Sequence, residues 1–375
     1  MVRPVHGGNL AWAARRAGCA SDELIDFSAS ISPLGPPSSV LEAAQAAFSF
    51  LSAYPDPGYS ELRSHIAHHH SISPDYVLPG NGAAELLNWA ARDLAALPRC
   101  FCLSPGFSDY ERALKAFGAA LSPLPLFNTS GQYLDSWDSS LSEDNDFSRC
   151  GLLLNNPHNP TGALFSRERV RSLLSRFALV VIDEAFMDFL PPEREQSVID
   201  WVNEFPHLVV VRSLTKFYSM PGIRLGYAIA HPAILSRWQQ WRDAWPVNTI
   251  AAAAGVAALK DAAFQQQTWQ WLTGENEYLF AGLSALPELT PLPSCANFFL
   301  VRAQVSTTAL QEKLLQHHRL YIRDCMSFAS LGDRFFRVAV KSRSDNQRLL
   351  SALADSVPRI LPTLPLVSEE AFHVS

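Results

Sequence analysis

From Tyr59 onward, short apolar runs alternate with helical patterns, and few folds accommodate that rhythm. The spacing predicts helices over 59–70, 83–95, 107–117 and 166–176, interleaved with strands over 76–78, 99–103, 151–154, 178–182 and 208–212. Such alternation specifies an α/β unit with a mainly parallel sheet and helices on both faces. Ligands of these sheets gather beyond the carboxyl ends of the strands. After Tyr227, helices are expected near 231–242 and 249–262, followed by a long pattern to about Leu286. Strands over Asn297–Arg302 and Phe335–Val340, with helices near 307–317 and 344–354, describe a smaller α/β domain. With 375 residues, 48% of them hydrophobic, the chain can fill more than one core. The expected division is an N-terminal segment, 1–50, joining the small domain, a large domain over 51–285, and a small domain over 286–375. The Pro-rich tail from Val357 to Ser375 is expected to pack loosely.

Charge and cysteine usage remove several classes of function. Thirty basic against 36 acidic residues leave a net charge of -6, without a basic stripe, so nucleic acid and anionic membrane are disfavoured as partners. The six cysteines, at 19, 100, 102, 150, 295 and 325, form no C-x-x-C pair and no cluster at metal spacing, which predicts free thiols and no metal. His68-His69-His70 and His317-His318 are adjacent residues on predicted helices and cannot face one ion together. The N-terminus lacks the apolar core of a signal peptide and no window is long enough to span a membrane, so a cytoplasmic protein is expected.

The polar motifs fall in the loops after the predicted strands. Lys216 follows the apolar run Leu208–Val211, with Ser213 three residues before it and Arg224 eight after it. A lysine at the end of a buried strand loses solvation and is biased toward the neutral, nucleophilic amine. Gly80-Asn81-Gly82-Ala83 opens a helix, whose free N–H groups suit a phosphate, although a bare strand-to-helix turn has the same composition. Phe107, in the loop after strand 99–103, offers a ring for stacking or for plain packing. Asn155-Asn156-Pro157-His158-Asn159-Pro160-Thr161-Gly162 is a stiff loop presenting amides. Asp183 ends an apolar strand, where a carboxylate is costly unless it meets a cation or caps a helix. Arg323 and Arg337 sit on or beside apolar strands and should each hold an anion or a carboxylate of the protein. The pieces around His6-Gly7-Gly8-Asn9, Asp26–Gly35 and Tyr54–Tyr59 read as loops able to approach a ligand.

Taken together, these motifs resemble the fold-type I pyridoxal-phosphate enzymes, the aminotransferase class I/II superfamily, over nearly the whole chain. The resemblance implies a PLP-dependent transferase-like fold with pyridoxal 5′-phosphate as cofactor. It implies that Lys216 bonds the cofactor aldehyde, Asp183 pairs with the ring nitrogen, Asn159 meets the ring hydroxyl and Phe107 stacks on the ring. Ser213, Arg224 and the backbone of Gly82 and Ala83 would hold the phosphate. Tyr54 would reach the phosphate of a neighbouring subunit, implying a homodimer with shared active sites.

Within the superfamily the chain is most similar to the threonine-phosphate decarboxylases of cobalamin biosynthesis. The signals are His6-Gly7-Gly8-Asn9, Asp26-Phe27-Ser28-Ala29, Asp183-Glu184-Ala185-Phe186-Met187-Asp188-Phe189 and Arg212-Ser213-Leu214-Thr215-Lys216-Phe217-Tyr218. Many aminotransferases carry a tyrosine where this chain has Phe186. His6, Ser30, Asn159, Arg323 and Arg337 would surround a small phosphorylated amino acid. Ser30 and Ser32 replace the asparagines usual beside the substrate anion, and Ala83 and Ala84 replace polar residues of the phosphate loop. The serines leave serine phosphate as an alternative substrate, while transamination of histidinol phosphate or an aromatic amino acid is the alternative reaction.

Overall fold

The computed structural model describes residues 3–128, 131–141 and 145–360. Most of the tail expected to be loose, residues 361–375, lies outside them. In chain order, the first half contains α1 (Leu10–Ala17), β1 (Ile25–Asp26), α2 (Ser38–Ala47), α3 (Ser60–His69), β2 (Val77–Asn81), α4 (Ala83–Ala95), β3 (Cys100–Ser104), α5 (Ser108–Ala116), β4 (Leu121–Pro125), β5 (Gly151–Asn155), α6 (Arg167–Leu174) and β6 (Leu179–Asp183). The second half adds β7 (Leu208–Ser213), β8 (Leu225–Ala230), α7 (Pro232–Gln239), α8 (Thr249–Lys260), α9 (Ala262–Ser284), β9 (Leu289–Pro291), β10 (Phe298–Ala303), α10 (Thr307–Lys313), β11 (Leu320–Tyr321), β12 (Arg323–Asp324), β13 (Phe335–Ala339) and α11 (Arg343–Ser356).

A seven-stranded sheet, ordered β2-β8-β7-β6-β5-β3-β4, forms the larger layer. β4, β3, β5, β6 and β7 run parallel, whereas β8 is antiparallel to both β7 and β2. Its central strands are apolar on both faces because helices cover both. Leu208 and Val210 of β7 enter one core cluster and Val209 and Val211 the other; Val180 and Ile182 of β6 are likewise separated from Leu179 and Val181. Burying such a side chain contributes about 1.5–3 kcal/mol.

Two strands of this sheet were not expected from the sequence, and neither were the short strands β1, β9, β11 and β12 outside it. β4, Leu-Ser-Pro-Leu-Pro, carries two prolines and tolerates them because it is a sheet edge. β8 is uniformly buried and so has no period to read. Its direction follows from the short connection 214–224, since a parallel return needs a crossover of a dozen or more residues. That reversal folds the Lys216 segment back over the sheet end and delivers Arg224 beside β2.

A second sheet, β12-β13-β10-β9, is antiparallel throughout. The amino-terminal part reaches it through β1, which pairs in parallel with β11. The helices have local stop and start signals: the Asn9 side chain accepts from Trp12 N–H at 3.0 Å, Asn248 caps α8, and Asp261 ends α8 while capping α9. No helix among the described residues is long and apolar enough to cross a membrane.

Candidate active site

The site begins where β6 and β7 end. Asp183, last residue of β6, is 4% exposed, and its Oδ1 accepts the Ala185 N–H at 2.9 Å. Its Oδ2 accepts the hydroxyl of Tyr110, on α5, at 2.5 Å. Burial pushes the Asp183 carboxyl above the usual range, opposed by the Lys216 charge and by these two donors. The same burial lowers Lys216, with Asp183 opposing the shift and the Arg224 and Arg337 cations reinforcing it. Lys216 Nζ donates to Ser213 Oγ at 3.3 Å and lies 5.1 Å from the centre of the Phe186 ring. A buried amine whose charged form is disfavoured in this way is biased toward the neutral, nucleophilic state.

The neighbouring loops supply anion donors. Gly82 precedes α4 with φ +73°, and a β-carbon there would lie 2.5 Å from Arg224 Nη2. The missing side chain therefore lets the Arg224 guanidinium lie against the helix start, whose N–H groups and dipole favour negative charge. Arg224 itself adopts φ +63°. Ser213 Oγ lies 2.7 Å from Thr215 Oγ1.

On the opposite wall, Asn159 is held by its own loop: its N–H donates to Asn155 Oδ1 at 2.6 Å, while Asn155 Nδ2 donates to the Asp183 carbonyl at 2.8 Å. His158, fully buried, lies 2.8 Å from Thr161 Oγ1 through Nδ1 and is pushed down to about 3 by burial. Arg337, on β13, donates from Nη1 to Asn159 Oδ1 at 2.6 Å and from Nη2 to the Ser28 carbonyl at 3.1 Å. Burial and the Arg323 cation lower it to about 10. Among the described residues its Nε has no hydrogen-bond partner, and neither does the buried Ser30 Oγ. Among the described residues no carboxylate lies within ion-pair distance of Arg337.

Arg323 faces Arg337 across the β12–β13 pair. Each arginine is expected to hold an anion or a carboxylate. Arg323 has its carboxylate in Asp324, whose Oδ1 lies 3.7 Å away, and it also donates to the Pro4 and Val5 carbonyls and the Ser327 hydroxyl. It thereby ties down the N-terminal segment. That segment carries His6 over Phe107, with ring centres 5.5 Å apart, and within 3.5 Å of Ser108 Oγ. Gly8 N–H donates to Ser28 Oγ at 2.8 Å. Tyr54 stands apart: it is 77% exposed, stacks on Trp245 at 4.2 Å, and hydrogen-bonds none of these residues.

Some of the site was not singled out from the sequence. Tyr110 lies three residues after Phe107, on the same helical face, and that spacing is the one sequence signal for it. Arg212 is buried beneath Ser213 and binds Glu184 at 2.9 Å and Asp188 and Glu195 each at 2.5 Å. The acids flanking Phe186 were the available signal for that network.

The donor set fits a flat, aldehyde-bearing, phosphorylated cation such as pyridoxal 5′-phosphate: a perturbed amine for the aldehyde, a buried carboxylate for a cationic ring, and a glycine-floored helix start with a guanidinium for the phosphate. The comparisons agree with this geometry. The model of the family described as aminotransferase class I and II matches residues 22–353. Threonine-phosphate decarboxylase from Salmonella typhimurium is 39% identical over 368 residues, covering 96% of this chain and 99% of that protein. The adenosylcobalamin biosynthesis bifunctional protein of Leptospira interrogans is 29% identical, covering 95% of this chain and 41% of the larger protein. Among solved structures, histidinol-phosphate aminotransferase from Sinorhizobium meliloti, in complex with pyridoxal-5'-phosphate, superposes with a TM-score of 0.82 at 23% identity, covering 96% of this chain and 95% of that one. The chain belongs to the aminotransferase class I and II family.

Proposed function

We propose that the protein is a pyridoxal-phosphate-dependent carboxy-lyase that converts L-threonine O-3-phosphate to (R)-1-amino-2-propanol O-2-phosphate and carbon dioxide, in cobalamin biosynthesis. The observation that carries this reading is Arg337, a buried guanidinium that, among the described residues, has no carboxylate partner and an unpartnered Nε, together with the buried Ser30 hydroxyl, likewise unpartnered among them. A protein leaves such donors unsatisfied at a cost of about 1–3 kcal/mol each, which an anionic ligand offsets. The 39% identity to a threonine-phosphate decarboxylase over almost the full length of both chains supports the reaction.

When bound, the cofactor supplies an electron sink for the pair left on the substrate α-carbon. In this reading Lys216 holds it through Nζ, Asp183 pairs with its ring nitrogen, Asn159 meets its hydroxyl and Phe107 packs against its ring. Ser213, Arg224 and the backbone N–H groups of Gly82 and Ala83 hold its phosphate. Arg337 and Ser30, with His6 and Arg323, fix the substrate's anionic ends. Orienting the substrate decides which bond at its α-carbon is broken. Lys216 Nζ, freed when the substrate's amine takes its place on the cofactor aldehyde, would carry the proton that replaces the departing carboxyl group. Phe186, buried beside Nζ, contributes no hydroxyl to compete for that proton.

The active unit in this proposal is a cytoplasmic homodimer. Support comes from Tyr54, an aromatic 77% exposed and stacked on Trp245, which leaves it available to a neighbouring subunit. The function is tested by offering threonine phosphate, serine phosphate and histidinol phosphate separately, with and without 2-oxoglutarate. Carbon dioxide should be released from threonine phosphate without a keto acid. Amino transfer to 2-oxoglutarate with no carbon dioxide would overturn the reading.

A further inference from the structure

Tyr110 has no place in the roles above, yet it makes a short polar contact to their central carboxylate. It is 3% exposed and lies among apolar groups of the cluster formed by α4, α5 and the sheet. Its ring meets Phe107 edge-on, with centres 5.4 Å apart and planes at 85°. Its N–H donates to the Phe107 carbonyl at 3.0 Å, so the first turn of α5 fixes the two residues together. Its hydroxyl reaches Asp183 Oδ2 at 2.5 Å.

We propose that Tyr110 is a positioning residue that holds Asp183 in one orientation and in its ionised form, as a cationic ring requires. The inference rests on the reading of Asp183 given above. The carboxylate has two donors of its own, the Ala185 N–H on Oδ1 and the Tyr110 hydroxyl on Oδ2. A carboxylate out of water becomes more basic, and each donor reverses part of that change. The backbone donor comes with the turn after β6 and needs no particular side chain. The phenol is a choice of side chain. Burial and the adjacent Asp183 charge raise the phenol's own ionisation well above the usual range, so it stays protonated and donates.

The charged groups around Asp183 leave this role open to Tyr110. Lys216 faces it from the segment after β7 and favours the anion while protonated. Once that amine is used to hold an aldehyde, its charge is no longer dependable. The Tyr110 hydroxyl is the side-chain donor that persists. Losing it shifts the shared proton from the ring nitrogen toward the carboxylate, which weakens the electron sink without touching any group that binds substrate. Phe107 shares the first turn of α5, so one local element sets both the stacking ring and the charge of its counter-ion.

The experiment compares wild-type holoenzyme with Tyr110→Phe, which removes only the oxygen. Protein is reconstituted with cofactor labelled with 15N in the ring. The expected result is a ring-nitrogen resonance displaced toward the unprotonated position, cofactor held about 10-fold more weakly, and kcat reduced with KM for threonine phosphate nearly unchanged. In an Asp183→Asn background the same substitution should change neither the resonance nor the affinity further, because the phenol acts through the carboxylate. An unchanged resonance in Tyr110→Phe overturns the proposal, as does an equal loss of affinity in both backgrounds. If Lys216→Ala protein retains the wild-type visible cofactor band, the assignment of the site itself fails. If that band is lost but Tyr110→Phe is silent, only the role of Tyr110 fails.

Discussion

Replacing Gly82 with alanine separates backbone strain from phosphate binding. The residue has φ +73° and ψ 162°, a region populated almost only by glycine. Holding an alanine there costs on the order of 1–3 kcal/mol of stability. The new β-carbon would also stand 2.5 Å from Arg224 Nη2 and 3.1 Å from Cζ. The guanidinium is the end of a flexible chain and can swing away, so the overlap adds little to the folding cost. It removes instead one charge-assisted donor from the helix start, worth about 1.5–3 kcal/mol, or roughly 10–100-fold in cofactor affinity. Gly18 supplies the control: its φ is +66° and nothing lies within 4 Å of a β-carbon there. Gly18→Ala should lower stability by roughly 1–2 kcal/mol and leave cofactor binding intact. Urea unfolding of the cofactor-free proteins and fluorescence titration with cofactor measure the two quantities. Arg224→Ala should weaken binding to a similar degree, and adding Gly82→Ala to it should weaken binding little further. Wild-type affinity in Gly82→Ala would refute the argument that the glycine exists to admit Arg224.

Further substitutions test other parts of the structure. His158 is depressed to about 3 from an ordinary 6.5, so its stabilising contribution is complete above pH 6.5 and is lost as pH falls toward 3. Urea unfolding at pH 6.5 and 5 should show about 2 kcal/mol less acid sensitivity in His158→Gln than in wild type; equal slopes would exclude His158 as the cause. Arg212→Met leaves Glu184, Asp188 and Glu195 without their cation and should destabilise the protein by about 3–5 kcal/mol, read as a lower urea midpoint; an unchanged midpoint would show that the cluster is solvated. If Tyr54 serves a neighbouring subunit, mixing inactive Tyr54→Ala and Lys216→Ala proteins after subunit exchange should restore part of the activity, and a mixture that stays inactive would contradict shared sites.

The alternation of apolar runs and helices made the parallel layer readable before any coordinates. Lys216, Asp183, Asn159 and the Gly82 turn were readable because strand ends are where polar residues are expensive. β8 escaped because a strand buried on both faces has neither alternation nor a polar residue to bound it, and β4 because proline argues against a strand wherever the edge is unknown. Tyr110 and Asp183 are 73 residues apart, and no local pattern announces a contact at that separation. Arg323 shows a different limit. Its buried guanidinium and a carboxylate for it, Asp324, are adjacent in the chain, but the Pro4 and Val5 carbonyls that it also binds come from 319 and 318 residues away, and no local pattern announces them.

Arg337 touches Asn159 and the Ser28 carbonyl at once, so a side chain from the antiparallel sheet reaches a loop of the parallel one. In the proposed roles, one end of that contact belongs to the substrate and the other to the cofactor. Any carboxylate that draws the guanidinium toward itself changes the hydrogen bonding left to Asn159, and any ligand that engages Asn159 changes what Arg337 can offer. Such coupling is reciprocal by thermodynamic necessity. The affinity for a substrate analogue should therefore differ between cofactor-free and cofactor-loaded protein by the same factor that the analogue changes the affinity for cofactor.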